Sequence, residues 1–446
     1  MMIGSVTKSF TTMMMGTLVD EGLMAWDQPV VQILPTFAVA DPAITPQVTV
    51  RNLVCACTGV PRRDAEIDFN ANELTAEDVI ASLADFPFYT PIGEAFQYSN
   101  QMVAVGGYVA AQAAGGQFGN LYAAYLAALQ QRVLDPIGMT RTSFDPVAVA
   151  ADPDYALPHG LTLDGGYQLM PLAIESGEAP IAPASGLWSS ADEMAQYLIT
   201  LLRRGVAPNG NQVISAENLE ETWEPQVAVT ADTSYGLGWY VEQWQGLRVI
   251  RHGGNTRGFT SDVAFLPDAD LGIVVLTNAQ EANVAAVGIR QRLLELLYDR
   301  PREIESQIAA ILEETKQQHA QADAQLSGPI ASDLARTLIG EYYNPDLGPV
   351  TVTFSNSMLV ADAGEFRVAL RPLRDSPRGV PAFIVADPPF VGRPVRFDTT
   401  GHLTRLIFGA PPEEYIFDRV PGPATPVPSL TARPLRCALP PGPVPG

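Results

Sequence analysis

Apolar residues recur at helical spacing through most of the first 230 positions, and the period changes to two near residue 235. From Ser5 onward, Phe10, Met13, Met14, Thr17 and Leu18 recur every three or four positions, predicting a helix over 5–24 that Gly22 ends or loosens. Asp27 is placed to cap a short second helix, with Pro29 in its first turn and Val30, Val31, Ile33 and Leu34 as its apolar face. Residues 49–56 read as a further short helix before the turn Thr58-Gly59-Val60-Pro61. Thr75 and Asp78 form a capping box for a helix over 75–84. Helices are expected over 101–113 and 121–134. Ser190 with Glu193 opens a helix to about residue 203, and Ser215 caps one more.

Alternation then takes over. Residues 236–241, 249–252, 261–266 and 272–278 read as strands, separated by turn signals such as Pro267-Asp268-Ala269-Asp270, and a helix over 285–298 follows. Helices first and strands late predict a mixed α/β (α+β) unit, an antiparallel sheet with a helical region, over residues 1–300. Residues 301–329 read as a helical linker, charged and rich in Gln and Ala, ending at Ser327-Gly328-Pro329. Seven short alternating runs between 350 and 417 predict a small antiparallel barrel or sandwich, an all-β accessory domain over 330–420. No catalytic constellation is apparent in it. Residues 421–446 carry nine prolines and are expected to be extended or disordered.

Composition narrows the function. The chain has 446 residues and a formal net charge of −22. That argues against nucleic acid and anionic membrane surfaces. No apolar run reaches the length of a membrane span, and no charged segment followed by an apolar stretch opens the chain. Cys55 and Cys57 flank one residue, a spacing unsuited to a common disulfide or a full metal site, and read as small packed residues. The four histidines are scattered, so a structural zinc site is not expected.

Against this background one residue type stands out. The chain has two lysines, Lys8 and Lys316, and its other cationic side chains are arginine. Lys8 lies three positions after Ser5. On a helix start that spacing puts both on one face. An amine that can lose its proton turns a serine hydroxyl into a nucleophile, and arginine cannot do so. Two further motifs follow, Tyr98-Ser99-Asn100 and, at the end of a predicted strand, His252-Gly253-Gly254. Each alone has an ordinary reading: a solvated helix start, a packing tyrosine, a helix cap, a strand-end histidine, a turn. Gly253 and Gly254 could let substrate approach the strand closely. Tyr98 fits a proton-transfer role if cationic Lys8 and His252 lower its pKa.

In this order the three motifs resemble the serine β-lactamase and penicillin-binding-protein superfamily, in the branch with class C β-lactamases, D-aminopeptidases, carboxypeptidases and esterases. The resemblance covers roughly residues 1–300. It implies a β-lactamase-like fold, a serine hydrolase and an acyl-enzyme on Ser5. Lys8 and Tyr98 would move protons, and Asn100 would hold Lys8 and the substrate amide. The backbone N–H groups of Ser5 and Asn255 would form the oxyanion hole, with His252, Gly253 and Gly254 alongside. The implied substrate is a small molecule or peptide with an amide, peptide or ester bond, and no metal or organic cofactor is called for. His252-Gly253 stands where many β-lactamases have Lys-Thr. This tilts the expectation toward a peptidase, amidase or esterase, with weak β-lactamase activity at most. The alternative is a non-catalytic relative that binds cell-wall peptides. Relatives carry several tens of residues before the serine motif, whereas four precede Ser5 here, so the resemblance implies an N-terminally truncated domain. Export of a full-length form, to the periplasm or outside the cell, is implied by the same resemblance.

Overall fold

The computed structural model describes residues 1–411 and 413–421. The proline-rich stretch expected to be extended, apart from Pro421, lies outside the described residues. Two compact units emerge. The first comprises Met1–Asp64, Glu73–Leu157 and Ile174–Arg302. The second gathers Ala65–Asn72, Pro158–Ala173 and the chain from Glu303.

The first unit is built on α1 (Thr7–Asp20), which continues from a 3-10 turn over Gly4–Val6. The spacing of Phe10, Met13 and Met14 predicts one buried face, yet every residue from Thr7 to Leu18 is buried. The helix tolerates this because its polar side chains find partners. Thr7 Oγ1 donates to Gly4 O at 2.7 Å and Ser9 Oγ to Val6 O at 2.8 Å. Thr11 Oγ1 donates to Pro183 O at 2.7 Å, which ties α1 to a buried turn, Ala182–Ser185.

Three further helices of this unit are framed by their caps. The helix α2 (Val50–Val54) has Thr49 as its N-cap. Of α3 (Asp64–Asn70), only Asp64 belongs to the first unit. The expected capping box of Thr75 and Asp78 opens α4 (Ala76–Ser82), and Ser99 caps the buried α5 (Asn100–Ala113). Asp27 caps nothing helical: only a 3-10 turn forms, over Val30–Gln32. Pro29 ψ of 131° holds the chain extended at its start. The capping box at Ser190 is half made. Ser190 accepts from Glu193 N, but the Glu193 carboxylate turns away to Thr142 and the Arg141 backbone.

The strands begin with a hairpin of the second unit, β1 (His159–Leu161) and β2 (Tyr167–Leu169). The main sheet of the first unit is antiparallel, in the order β3 (Val227–Ala228), β4 (Thr233–Tyr235), β5 (Tyr240–Trp244), β6 (Leu247–Asn255), β7 (Thr260–Leu266) and β8 (Leu271–Thr277). The run expected as one strand over 236–241 is split by a turn at Gly238, whose φ of +82° breaks the pleat. Helix Asn283–Leu297 covers the sheet, anchored by the buried ion pair of Arg290 Nε and Asp262 Oδ2 at 2.6 Å.

The second unit closes eight antiparallel strands into a barrel. They are β9 (Gly340–Asn344), β10 (Gly348–Ser355), β11 (Met358–Asp362), β12 (Arg367–Pro372), β13 (Ala382–Val385), β14 (Pro394–Asp398), β15 (Arg405–Ala410) and β16 (Glu413–Arg419). β16 returns to β9, pairing Asp418 with Tyr343, so no edge is left open. Alternate residues such as Val350, Val352, Leu359, Val368 and Leu370 fill the interior, and Phe69 of α3 packs among them.

Candidate active site

Ser5 stands in the 3-10 turn that leads into α1, and Lys8 lies one turn on. The i, i+3 spacing brings Lys8 Nζ to 2.9 Å from Ser5 Oγ. Lys8 is fully buried. Its amine makes two other hydrogen bonds, to Asn100 Oδ1 at 2.7 Å and to Ala184 O at 2.8 Å. Burial, reinforced by the Arg62 guanidinium, pushes the Lys8 pKa well down, while Asp64 and Glu178 oppose this more weakly.

The Tyr98-Ser99-Asn100 spacing has a simple backbone cause. Ser99 is extended, with φ −142° and ψ 120°, so the side chains two apart fall on one side. Tyr98 and Asn100 thereby both reach Lys8. The Tyr98 ring centroid is 4.8 Å from Lys8 Nζ, and its hydroxyl hydrogen-bonds the Ser5 side chain. The stretch leading to Tyr98 is laid along the preceding turn: Gln97 N donates to Ala56 O at 2.7 Å and Tyr89 N to Gly59 O at 2.8 Å.

That turn corrects one expectation. Cys55 and Cys57 form a disulfide. Ala56 between them takes φ +50°, which folds the chain back and brings the two Cα atoms to 5.2 Å.

The Tyr98 pKa is a second correction. Cationic neighbours were expected to lower it, but burial raises it well above the usual phenol range and outweighs the Ser5 hydrogen bond and Arg62. His252 supplies no charge. Burial, then the nearby Lys8, holds its pKa down at about 3. The Gly253 carbonyl at 2.6 Å from Nδ1 can only accept, so Nδ1 carries the proton and Nε2 accepts from the Tyr235 hydroxyl at 3.1 Å. The His252 ring still borders the site, 6.2 Å from the Tyr98 ring.

The two glycines of β6 meet different surroundings. A side chain on Gly254 would meet Ile3 O at 2.0 Å, so its absence seats the strand against the turn that carries Ser5. Gly4, at φ +52°, makes the reciprocal approach: a Cβ there would stand 2.8 Å from Asn255 N. Gly253 is open, with nothing closer than 3.7 Å to a Cβ. The Asn255 side chain is engaged elsewhere, donating to Asn283 Oδ1 at 3.0 Å and accepting from Thr260 at 3.1 Å.

The structure therefore gathers Ser5, Lys8, Tyr98, Asn100, His252, Gly253, Gly254 and the Asn255 backbone around one turn. Sequence reasoning missed three contributors. The Ala184 carbonyl carries no side-chain signal. Asp64, which accepts from Asn100 Nδ2 at 3.1 Å, and Arg62 lie in a loop without periodicity. Among the described residues no group of His, Cys, Asp and Glu could hold a metal ion.

Residues 1–298 match the family profile described as Beta-lactamase. The chain belongs to the beta-lactamase family. An unguisins hydrolase of Aspergillus campestris is 25% identical over 313 residues, 66% of this chain and 56% of that protein. Beta-lactamase-like protein 2 of Dictyostelium discoideum is 26% identical over 381 residues, 81% of this chain and 65% of that one. The chain thus spans little more than half the length of the fungal relative. Among solved structures, the octameric penicillin-binding protein homologue from Pyrococcus abyssi superposes with a TM-score of 0.59 at 21% identity, covering 94% of this chain and 88% of the other. That likeness extends the shared fold through the C-terminal barrel. No helix among the described residues is long and apolar enough to cross a membrane.

Proposed function

We propose that this member of the beta-lactamase family is a serine hydrolase that forms an acyl-enzyme on Ser5 and cleaves an amide, peptide or ester bond. The observation that carries the reading is the surroundings of the Lys8 amine. A neutral amine has two N–H groups and one lone pair. The Ala184 and Asn100 carbonyl oxygens, at 2.8 and 2.7 Å, can only accept. They take both N–H groups and leave the lone pair for the Ser5 hydroxyl at 2.9 Å. A depressed lysine pKa keeps that lone pair available near neutral pH.

The sequence of events follows from the pKa order. Lys8 takes the proton as Ser5 Oγ attacks the carbonyl. The backbone N–H groups of Ser5 and Asn255 hold the oxyanion, each worth on the order of 3 kcal/mol. Tyr98, kept as a neutral phenol, relays the proton to the leaving group rather than acting as a phenolate. Water then attacks the ester, with Lys8 again the base. Neutral His252 lacks the positive charge that would favour a substrate carboxylate, which supports peptidase, amidase or esterase substrates over β-lactams. The half-buried rings of Phe96, Tyr98 and Tyr240, 6.0–6.4 Å apart at Phe96, support an apolar group beside the scissile bond.

A panel of nitrocefin, p-nitrophenyl esters and D-amino-acid amides, run on the wild-type chain and on Ser5→Ala, tests this. Turnover of an ester or amide that Ser5→Ala abolishes is expected. Wild-type and Ser5→Ala chains equally inactive on every substrate would favour a non-catalytic binding role instead.

A further inference from the structure

Asn100 is held at both ends of its carboxamide. Its oxygen accepts from Lys8 at 2.7 Å, and its nitrogen donates to Asp64 Oδ1 at 3.1 Å. An amide can turn about its last bond, exchanging oxygen and nitrogen. Turned over, Asn100 would point its NH2 at Lys8 and occupy the lone pair that serves Ser5. Nothing in the Lys8–Ser5–Ala184 triangle prevents this by itself. Asp64 does, because an ionised carboxylate accepts hydrogen bonds and repels an amide oxygen.

We propose that Asp64 is a positioning residue for the Ser5–Lys8 pair: it locks the Asn100 carboxamide with its oxygen toward Lys8, which directs the Lys8 lone pair at Ser5. The inference rests on the reading of Lys8 as the base. Asp64 is well placed for the task. It is the first residue of α3, it is half-buried, and its second oxygen pairs with Arg62. That pairing leaves the first oxygen to Asn100.

Asp64 also sets the charge around the amine. The groups facing Lys8 are Arg62 and Asp64 from the loop before α3 and its first residue, Tyr98 before α5, His252 on β6 and Glu178 from the 172–181 segment. Arg62 lowers the Lys8 pKa, and Asp64 and Glu178 raise it. Tyr98 and His252 are both neutral. Removing the Asp64 charge therefore lowers the Lys8 pKa further.

Two substitutions separate the two roles. Asp64→Asn keeps an oxygen for Asn100 and loses the charge. Asp64→Ala loses both. In the full chain, acylation of Ser5 by a p-nitrophenyl ester is followed from pH 5 to 9, with melting temperature recorded for each variant. Asp64→Asn is expected to shift the acid limb of the rate profile to lower pH while keeping its maximum within about threefold. Asp64→Ala is expected to shift the limb the same way and lose roughly tenfold at the maximum, the size of one lost hydrogen bond. An unmoved acid limb in Asp64→Asn overturns the proposal, as do equal maxima in the two variants. Should Asp64→Ala fail to fold, Asp64→Val, which likewise offers Asn100 no acceptor, takes its place in the comparison of maxima. A wild-type chain with no adduct on Ser5 overturns the parent reading, whereas a labelled wild type with unaltered variants overturns this one only.

Discussion

Lys8 shows how a single side chain can be read from sequence and yet have its chemistry decided elsewhere. A lysine three positions after a serine, one of two in a chain whose other cationic side chains are arginine, marks the pair. What suits the amine to the proposed role of base is its burial and two carbonyl oxygens, one of them the Ala184 backbone, which no residue identity announces. Tyr98 illustrates the opposite outcome. Its place beside Lys8 was implied by the family resemblance that the Tyr98-Ser99-Asn100 motif carries, but its protonation was not, because burial outweighs the neighbouring charges. The neutral phenol has a consequence. Tyr98→Phe should lower kcat/KM for an unactivated amide by about 10²-fold. For a p-nitrophenyl ester, whose leaving group departs without a proton, the loss should be much smaller. Steady-state kinetics on the two substrates checks this, and equal losses would remove Tyr98 from leaving-group protonation.

At the scale of elements, the site is a docking of the Gly4–Val6 turn onto β6. Gly4 and Gly254 allow backbones to approach where a Cβ would collide. Gly254→Ala should therefore lower both melting temperature and activity, whereas Gly253→Ala, with open space, should leave the melting temperature within a degree or two. Thermal melts of the two variants test the difference. The 172–181 segment makes a pH-dependent contribution. Glu175 is fully buried, and burial, opposed by Arg257 and aided by Glu178, raises its pKa from 4.5 to about 7. Between those values the folded chain holds a proton that the unfolded chain has released, so stability falls as pH rises through that window. The loss is on the order of 3 kcal/mol. Glu175→Gln should flatten this slope, as measured by denaturant unfolding at pH 5 and pH 8; an unchanged slope would contradict the assignment. Local signals carried most elements: Thr75 and Ser215 each cap the helix they announce, and the structure adds Thr49 and Ser99 as caps. The failures are tertiary. The Glu193 carboxylate prefers Thr142 to its own cap, and the turn at Ala56 joins two cysteines that spacing alone set apart.

At the scale of the whole molecule, period two late in the chain was enough to expect both the sheet and the small β unit. The closure of that unit into a barrel depends on β16 meeting β9, a pairing across some seventy residues that alternation cannot specify. Nor could periodicity reveal that Phe69, far upstream, belongs to the barrel core, where it contacts the rings of Phe366 and Phe408 at 4.7 and 5.3 Å. Phe69→Ala should destabilise the barrel by about 3 kcal/mol or more. Amide hydrogen exchange in β9–β16 should accelerate accordingly, and unchanged protection there would contradict the packing.

The account stands on Ser5 becoming a nucleophile through Lys8. The most direct test is intact and peptide-mapped mass after rapid quenching of a p-nitrophenyl ester reaction. The account predicts one acyl group on the peptide containing Ser5, absent in Ser5→Ala and formed at least about 10²-fold more slowly in Lys8→Arg, whose guanidinium cannot give up its proton. An acyl group on another residue, or one forming at the wild-type rate in Lys8→Arg, would contradict it.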